Sequence, residues 1–72
     1  MEEFNVIELG ERLRMLRNEQ NLGQNQLAKL LNISNASVSY WETGKQIPSA
    51  EVIFKYAQFF DVSADFILGI VD

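Results

Sequence analysis

The segment QNQLAKLLNISNASVSYWET, residues 24–43, decides the fold of this 72-residue chain. Its apolar residues recur at helical spacing in two groups, namely Leu27, Leu30 and Leu31, and then Val38 and Trp41. Between the groups stand Asn32, which tolerates the positive φ of a tight turn, and Ser34, which is a good N-cap. Gly23 before the segment and Gly44 after it mark its two ends. The pattern predicts two short helices joined by a tight turn.

Two helices that cross at a steep angle need a small residue where their backbones approach, and Ala28 supplies it. Apolar side chains on the inner faces must also hold the pair to a core, and five residues are suitable: Leu27, Leu31, Ile33, Val38 and Trp41. Trp41 could instead stack on a base, but its spacing from Val38 favours the core. These features predict a helix-turn-helix whose second helix, the third of the chain, covers about residues 35–42.

Apolar spacing and capping residues predict three further helices around this pair. The first covers roughly residues 6–20, the fourth begins after Ser49, and the fifth runs from Ser63 to Gly69. No strand-like alternation, internal repeat or linker is present. We therefore expect an all-α fold, a compact five-helix domain over residues 1–72.

The composition excludes several classes of function. The chain has no cysteine and no histidine, so disulfides, thiolate chemistry and the commonest metal ligands are excluded. The serines lack a histidine general base, and no carboxylate pair stands in a recognisable site. No apolar run is long enough to span a bilayer, and the N-terminus is unlike a signal peptide. We expect a soluble, cytoplasmic protein that is not an enzyme, binds no metal or cofactor, and has no membrane partner.

The charge is distributed unevenly along the chain. The net charge is −4, yet residues 24–48, which carry Lys29 and Lys45 against Glu42, are net positive by one. The segments before and after them are net negative. Because DNA-binding domains are usually basic, a duplex would meet only a thin basic footprint here. Any affinity for DNA should be modest and sensitive to salt.

Two stretches resemble a known family. Gln24–Ser34 and Val38–Lys45 closely resemble the XRE family of phage repressor and Cro-like regulators, and the similarity extends from Leu9 to Gly69. The resemblance implies a phage-repressor-like domain that acts as a transcriptional regulator on a double-stranded DNA operator. Of the two kinds of regulator, we expect a repressor. The alternative is a protein-interaction module, antirepressor or antitoxin-like, that keeps the fold without strong DNA binding. The acidic net charge supports that alternative.

The outer face of helix three is the predicted reader of DNA sequence. At ~100° per residue, Ala36, Ser39, Tyr40 and Thr43 point away from the core, and Asn35 lies at the exposed N-terminal end. No lysine or glutamate occupies this face, which is unusual for a face that meets only solvent. The residues expected to read bases in the major groove are Asn35, Ala36, Ser39 and Tyr40. Those expected to contact the DNA backbone are Gln24, Thr43 and Lys45.

The resemblance also implies a structural ion pair between Arg17 and Glu42. Arg17 follows Leu13 by one helical turn and so flanks the apolar stripe of helix one. The alternative is two independent surface charges.

We predict a homodimer on DNA, because one small helix-turn-helix with few cations should bind weakly alone. The C-terminal stretch from Phe66 to Val71 is apolar. We expect the core to leave Ile70 and Val71, at the end of this stretch, uncovered, and they are the candidates for the self-contact.

Overall fold

The computed structural model describes residues 3–70, and all regular structure within that range is helical. Five α-helices follow one another: α1 (Val6–Glu19), α2 (Gln24–Leu31), α3 (Asn35–Glu42), α4 (Ala50–Phe60) and α5 (Ala64–Leu68). The predicted five-helix, all-α fold is confirmed. None of these helices has the length and apolar character needed to cross a membrane.

Local capping explains where the helices of the central pair end and begin. Gly23 has no side chain with which to cap α2, so Gln26 Oε1 accepts a hydrogen bond from the Gly23 N–H at 2.7 Å. Asn32 ends α2 with φ +57°, as predicted for the turn. Ser34 Oγ then accepts the N–H of Ser37 and caps α3. The turn of the helix-turn-helix is therefore specified by residues within it.

The core lies where the inner faces of all five helices meet. Its buried apolar members are Leu9, Leu13, Leu16, Leu27, Ala28, Leu31, Val38, Trp41, Val52, Ile53, Tyr56 and Ile67. Trp41 is one of them, which confirms its predicted place in the core. It packs edge-on against Tyr56, whose ring also stacks on Phe60. Not every apolar side chain of α4 joins this core, because Phe59 remains 41% exposed.

α1 lies directly against the end of α3 at Gly10, which the sequence pattern did not single out. A Cβ placed on Gly10 would lie 2.6 Å from the carbonyl oxygens of both Trp41 and Glu42. Those oxygens belong to the backbone and cannot swing away as a side-chain end could. Only glycine therefore allows the end of α3 to lie directly against α1.

The substitution Gly10→Ala tests this close approach. We expect it to lower the free energy of unfolding by about 1–3 kcal/mol, because the added methyl must push two helices apart. The matched control is Gly23→Ala, whose Cβ would meet nothing nearer than the Gln26 Oε1 at 3.6 Å. Urea titration of both variants measures the difference. Helix propensity alone would make Gly10→Ala more stable than wild type. That result would contradict the close approach of α1 and α3.

Candidate nucleic-acid interface

The outer face of α3 is small, uncharged and accessible. Asn35, Ala36 and Tyr40 are exposed and Ser39 is half-buried, whereas Val38 on the opposite face is completely buried. The structure thus places all four predicted base-reading residues on one side of α3. Side chains of this size allow a helix to lie close to base edges in a major groove. Whether they contact bases remains a prediction.

Two residues predicted to contact the DNA backbone have part of their hydrogen-bonding capacity already used. The Thr43 hydroxyl donates to the carbonyl oxygen of Ser39 at 2.9 Å, so only its acceptor lone pairs remain available. Gln24 lies in the first turn of α2 and donates from Nε2 to Glu42 Oε1 at 3.1 Å. One amide hydrogen and the carbonyl oxygen of Gln24 stay available to a ligand.

The third predicted backbone contact, Lys45, lies over the ring of Tyr40. Its Nζ is 5.9 Å from the ring centroid, within the range of a cation–π interaction. Gly44 makes this possible, because its φ of +77° reverses the chain after α3. This pairing was not predicted from the sequence, where Tyr40 and Lys45 were expected to contact different parts of the DNA.

Glu42, the last residue of α3, is the centre of a charged cluster on the buried side of that helix. Its side chain is 0% exposed. Arg17 Nε donates to Glu42 Oε2 at 2.7 Å and Arg17 Nη2 donates to Oε1 at 2.8 Å, a bidentate geometry. Arg14 Nε lies 3.6 Å from the same carboxylate, and Gln24 supplies the neutral donor described above. The expected ion pair between Arg17 and Glu42 is present, and its carboxylate is completely buried.

The surroundings of this cluster fix its charge state. Burial by itself raises the pKa of Glu42, but hydrogen bonds from Arg17 and Gln24 and the charges of Arg17 and Arg14 outweigh it. The pKa of Glu42 is therefore below its ordinary value. The hydrogen bond to Glu42 raises the pKa of Arg17 in turn. The carboxylate and the guanidinium are both ionised at neutral pH.

Comparisons with known proteins agree with this architecture. A family model described as Helix-turn-helix matches residues 13–67. The HTH-type transcriptional activator BcrR of Enterococcus faecalis is 40% identical over 63 residues, which is 88% of this chain. The chain belongs to the helix-turn-helix family of XRE-type transcriptional regulators.

Solved structures of this helix-turn-helix family share the fold. The restriction-modification controller protein C.AhdI of Aeromonas hydrophila has a TM-score of 0.79 and 31% identity, covering 86% of this chain and 94% of its own. The P22 c2 repressor, solved in complex with a synthetic operator, has a TM-score of 0.81 and 28% identity, covering 88% and 96%. This chain spans 31% of the length of BcrR and about half the length of several other relatives.

The sequence analysis of this helix-turn-helix protein missed two partners of Glu42. Arg14 could have been found, because it precedes Arg17 by three residues and so shares its face of α1. Gln24 carried no such signal, because its contact with Glu42 depends on how α2 crosses α3. Lys55 of α4 is half-buried, and its Nζ donates to the Leu31 carbonyl oxygen at 3.1 Å, at the end of α2.

The substitution Arg17→Met tests the Glu42 cluster. It leaves a fully buried carboxylate without its bidentate partner, so we expect the free energy of unfolding to fall by about 3–5 kcal/mol. The matched control is Arg14→Met, which removes a half-exposed arginine at 3.6 Å and should cost less than about 1 kcal/mol. Thermal and urea unfolding of both variants give the comparison. Equal losses in the two variants would show that the bidentate contact does not hold the helices together.

Proposed function

We propose that this chain is the DNA-binding domain of a transcriptional regulator that recognises an operator sequence by placing α3 in the major groove. The observation that carries the proposal is the uncharged outer face of α3, with the opposite face and the Glu42 end held rigidly in the core. The family supports it, because its members here are named as transcriptional regulators and one is solved on an operator. The interaction-module alternative gains nothing from these comparisons.

The roles of individual residues follow from their positions on α3. Asn35, at the N-terminal end that enters the groove first, can make a bidentate contact with adenine, and Ser39 a less selective hydrogen bond. Ala36 can contact a thymine methyl group. Tyr40, one turn after Ala36, lies on the same exposed side of α3. Binding over a promoter would block transcription, so we infer that the protein acts as a repressor, in the cytoplasm.

The proposed backbone contacts surround this face. Gln24 can offer its backbone N–H and its remaining amide hydrogen from the first turn of α2, where the helix dipole favours an anion. Thr43 can reach a phosphate only through a bridging water, because its hydroxyl hydrogen is used in the bond to Ser39. Lys45 is the one of the three with a formal charge, so it should contribute most of the salt dependence.

Mutations in the protein can separate base reading from backbone binding. Their effects are measured on a duplex that the protein has selected from genomic DNA. We expect Asn35→Ala to weaken the selected duplex by about 1–3 kcal/mol and to relax specificity at one base position. Lys45→Ala should weaken selected and scrambled duplexes alike, and should reduce the slope of log affinity against log salt by about one. Titrations of both duplexes at several salt concentrations measure these effects.

The control is Gln58→Ala, which removes an exposed amide from α4, away from α3. It should bind like wild type. If Asn35→Ala and Tyr40→Ala also bind the selected duplex like wild type, α3 is not the reader and the interaction-module alternative becomes the better one.

We further propose that the protein binds DNA as a homodimer that buries an apolar groove between α4 and α5. The groove has a volume of about 400 Å³ and is lined by Pro48, Ala50, Ile53, Phe54, Ala57, Ala64 and Leu68. Phe54 is 58% exposed on its rim, beside the space that the three alanines leave open. An exposed side chain beside a groove on the same surface can insert into the groove of a second copy across a two-fold axis, while the second copy's side chain fills the first groove. This points to a second copy as the occupant.

The position of this groove suits a dimer on DNA. It begins at Pro48, three residues after Lys45, and so lies near the end of α3 along the chain. In such a dimer, two half-sites about one helical turn (~34–36 Å) apart would be engaged together. Of the residues first predicted for the self-contact, Ile70 is exposed, and Val71 lies outside the described residues.

The substitution Phe54→Glu tests the dimer. We expect it to convert the protein to a monomer in sedimentation experiments and to weaken binding to a palindromic duplex, because a carboxylate cannot enter an apolar groove without a partner. The matched control is Phe59→Glu, an exposed phenylalanine of the same helix that does not line the groove. It should stay dimeric. A wild-type protein that is monomeric both free and on a palindromic duplex would rule out the dimer.

A further inference from the structure

We propose that Tyr40 is a positioning residue for Lys45, and that the two side chains act as one phosphate-binding unit at the C-terminal end of α3. Tyr40 then contributes to affinity for any duplex and does not read bases. This inference rests on the proposed function, and it changes the role that the sequence pattern gave to Tyr40.

Two independent contacts attach Lys45 to Tyr40. The Lys45 backbone N–H donates to the Tyr40 carbonyl oxygen at 2.9 Å, and the Gln46 N–H reaches the same oxygen at 3.3 Å. The Lys45 Nζ lies 5.9 Å from the centroid of the Tyr40 ring. The left-handed Gly44 between them is what turns the chain back, so that backbone and side chain contact the same residue. The ring of Tyr40 thus limits where the ammonium can be.

The ammonium is available to an anion. Within residues 3–70, Lys45 takes part in no ion pair, whereas Arg14 and Arg17 are held by Glu42 and Lys55 donates to a carbonyl oxygen. A free lysine side chain carries large rotamer entropy, which is lost when it binds a phosphate. Contact with the ring restricts that freedom before binding, so less is lost on the duplex.

The same geometry argues against base reading by Tyr40. The cation occupies one face of the ring and leaves only the other to stack on a base or to pack on a thymine methyl group. Tyr40 also lies five residues beyond Asn35, about 7 Å further along the helix axis at ~1.5 Å per residue. In this docking mode the N-terminal residues of the helix contact base edges, and the loop after it borders the backbone.

A double-mutant cycle on duplex binding tests the coupling. The proteins are wild type, Tyr40→Leu, Lys45→Gln and the double variant, each titrated against the selected and the scrambled duplex at several salt concentrations. We expect Tyr40→Leu to weaken both duplexes by the same roughly 2- to 5-fold, the range of an exposed cation–π contact. In the Lys45→Gln background Tyr40→Leu should cause no further loss. The conservative variant Tyr40→Phe keeps the ring and should recover most of the lost affinity.

Three outcomes would overturn the proposal. One is a loss in Tyr40→Leu that is the same with and without Lys45, because the two side chains would then act independently. Another is a loss confined to the selected duplex, which would make Tyr40 a base reader. The third is a failure of Tyr40→Phe to recover affinity, which would assign the effect to the phenol hydroxyl. Melting temperatures confirm that each variant is folded.

A second measurement keeps this proposal distinct from the proposed function. In the free protein, the ring current of Tyr40 should shift the Lys45 ε-methylene protons upfield, and Tyr40→Leu should abolish that shift while Tyr40→Phe preserves it. Without the shift in wild type, the contact does not exist in solution and the positioning role fails even if DNA binds. With the shift but no wild-type binding to any duplex, the proposed function fails, and the role in phosphate binding fails with it.

Discussion

The buried carboxylate of Glu42 is the constraint on which the arrangement of the first three helices depends. It lies at the end of α3 and accepts hydrogen bonds from Arg17 of α1 and Gln24 of α2, with Arg14 close by. An ionised carboxylate out of contact with water is strongly unfavourable unless its oxygens are paired. The geometry that satisfies it therefore fixes all three helices relative to one another. The absence of a side chain on Gly10 lets α1 come near enough for this.

This constraint also explains how an acidic chain can present a surface suited to DNA. Counted along the sequence, Glu42 offsets one of the two lysines in the only positive segment. In the folded protein two α1 arginines neutralise Glu42 inside, so it does not face a ligand. Charges further away are screened over a Debye length of about 8 Å at physiological ionic strength. The field near Lys45 and α3 is therefore more favourable to a phosphate than the net charge of −4 indicates.

The two faces of α3 illustrate how one short helix can serve stability and recognition. Val38, Trp41 and Glu42 are buried, and the exposed positions carry short side chains and one tyrosine. Because the buried side is fixed by packing and by the Glu42 cluster, the exposed side is presented with little freedom. A rigid reading face reduces the entropy lost on binding, which matters for a protein with so few cations.

The sequence by itself determined the number, faces and ends of the helices, because those depend on residues a few positions apart. The Asn32 turn, the Ser34 cap and the buried side of Trp41 each follow from local spacing, and the family pattern supplied the Arg17–Glu42 pair. Only the tertiary structure decided which distant groups meet. Three such contacts depend on crossing angles and chain reversals. They are the hydrogen bond from Gln24 to Glu42, the hydrogen bond from Lys55 to the Leu31 carbonyl oxygen, and the position of Lys45 over the Tyr40 ring. Those angles are set by the close packing of whole helices, which no short stretch of sequence encodes.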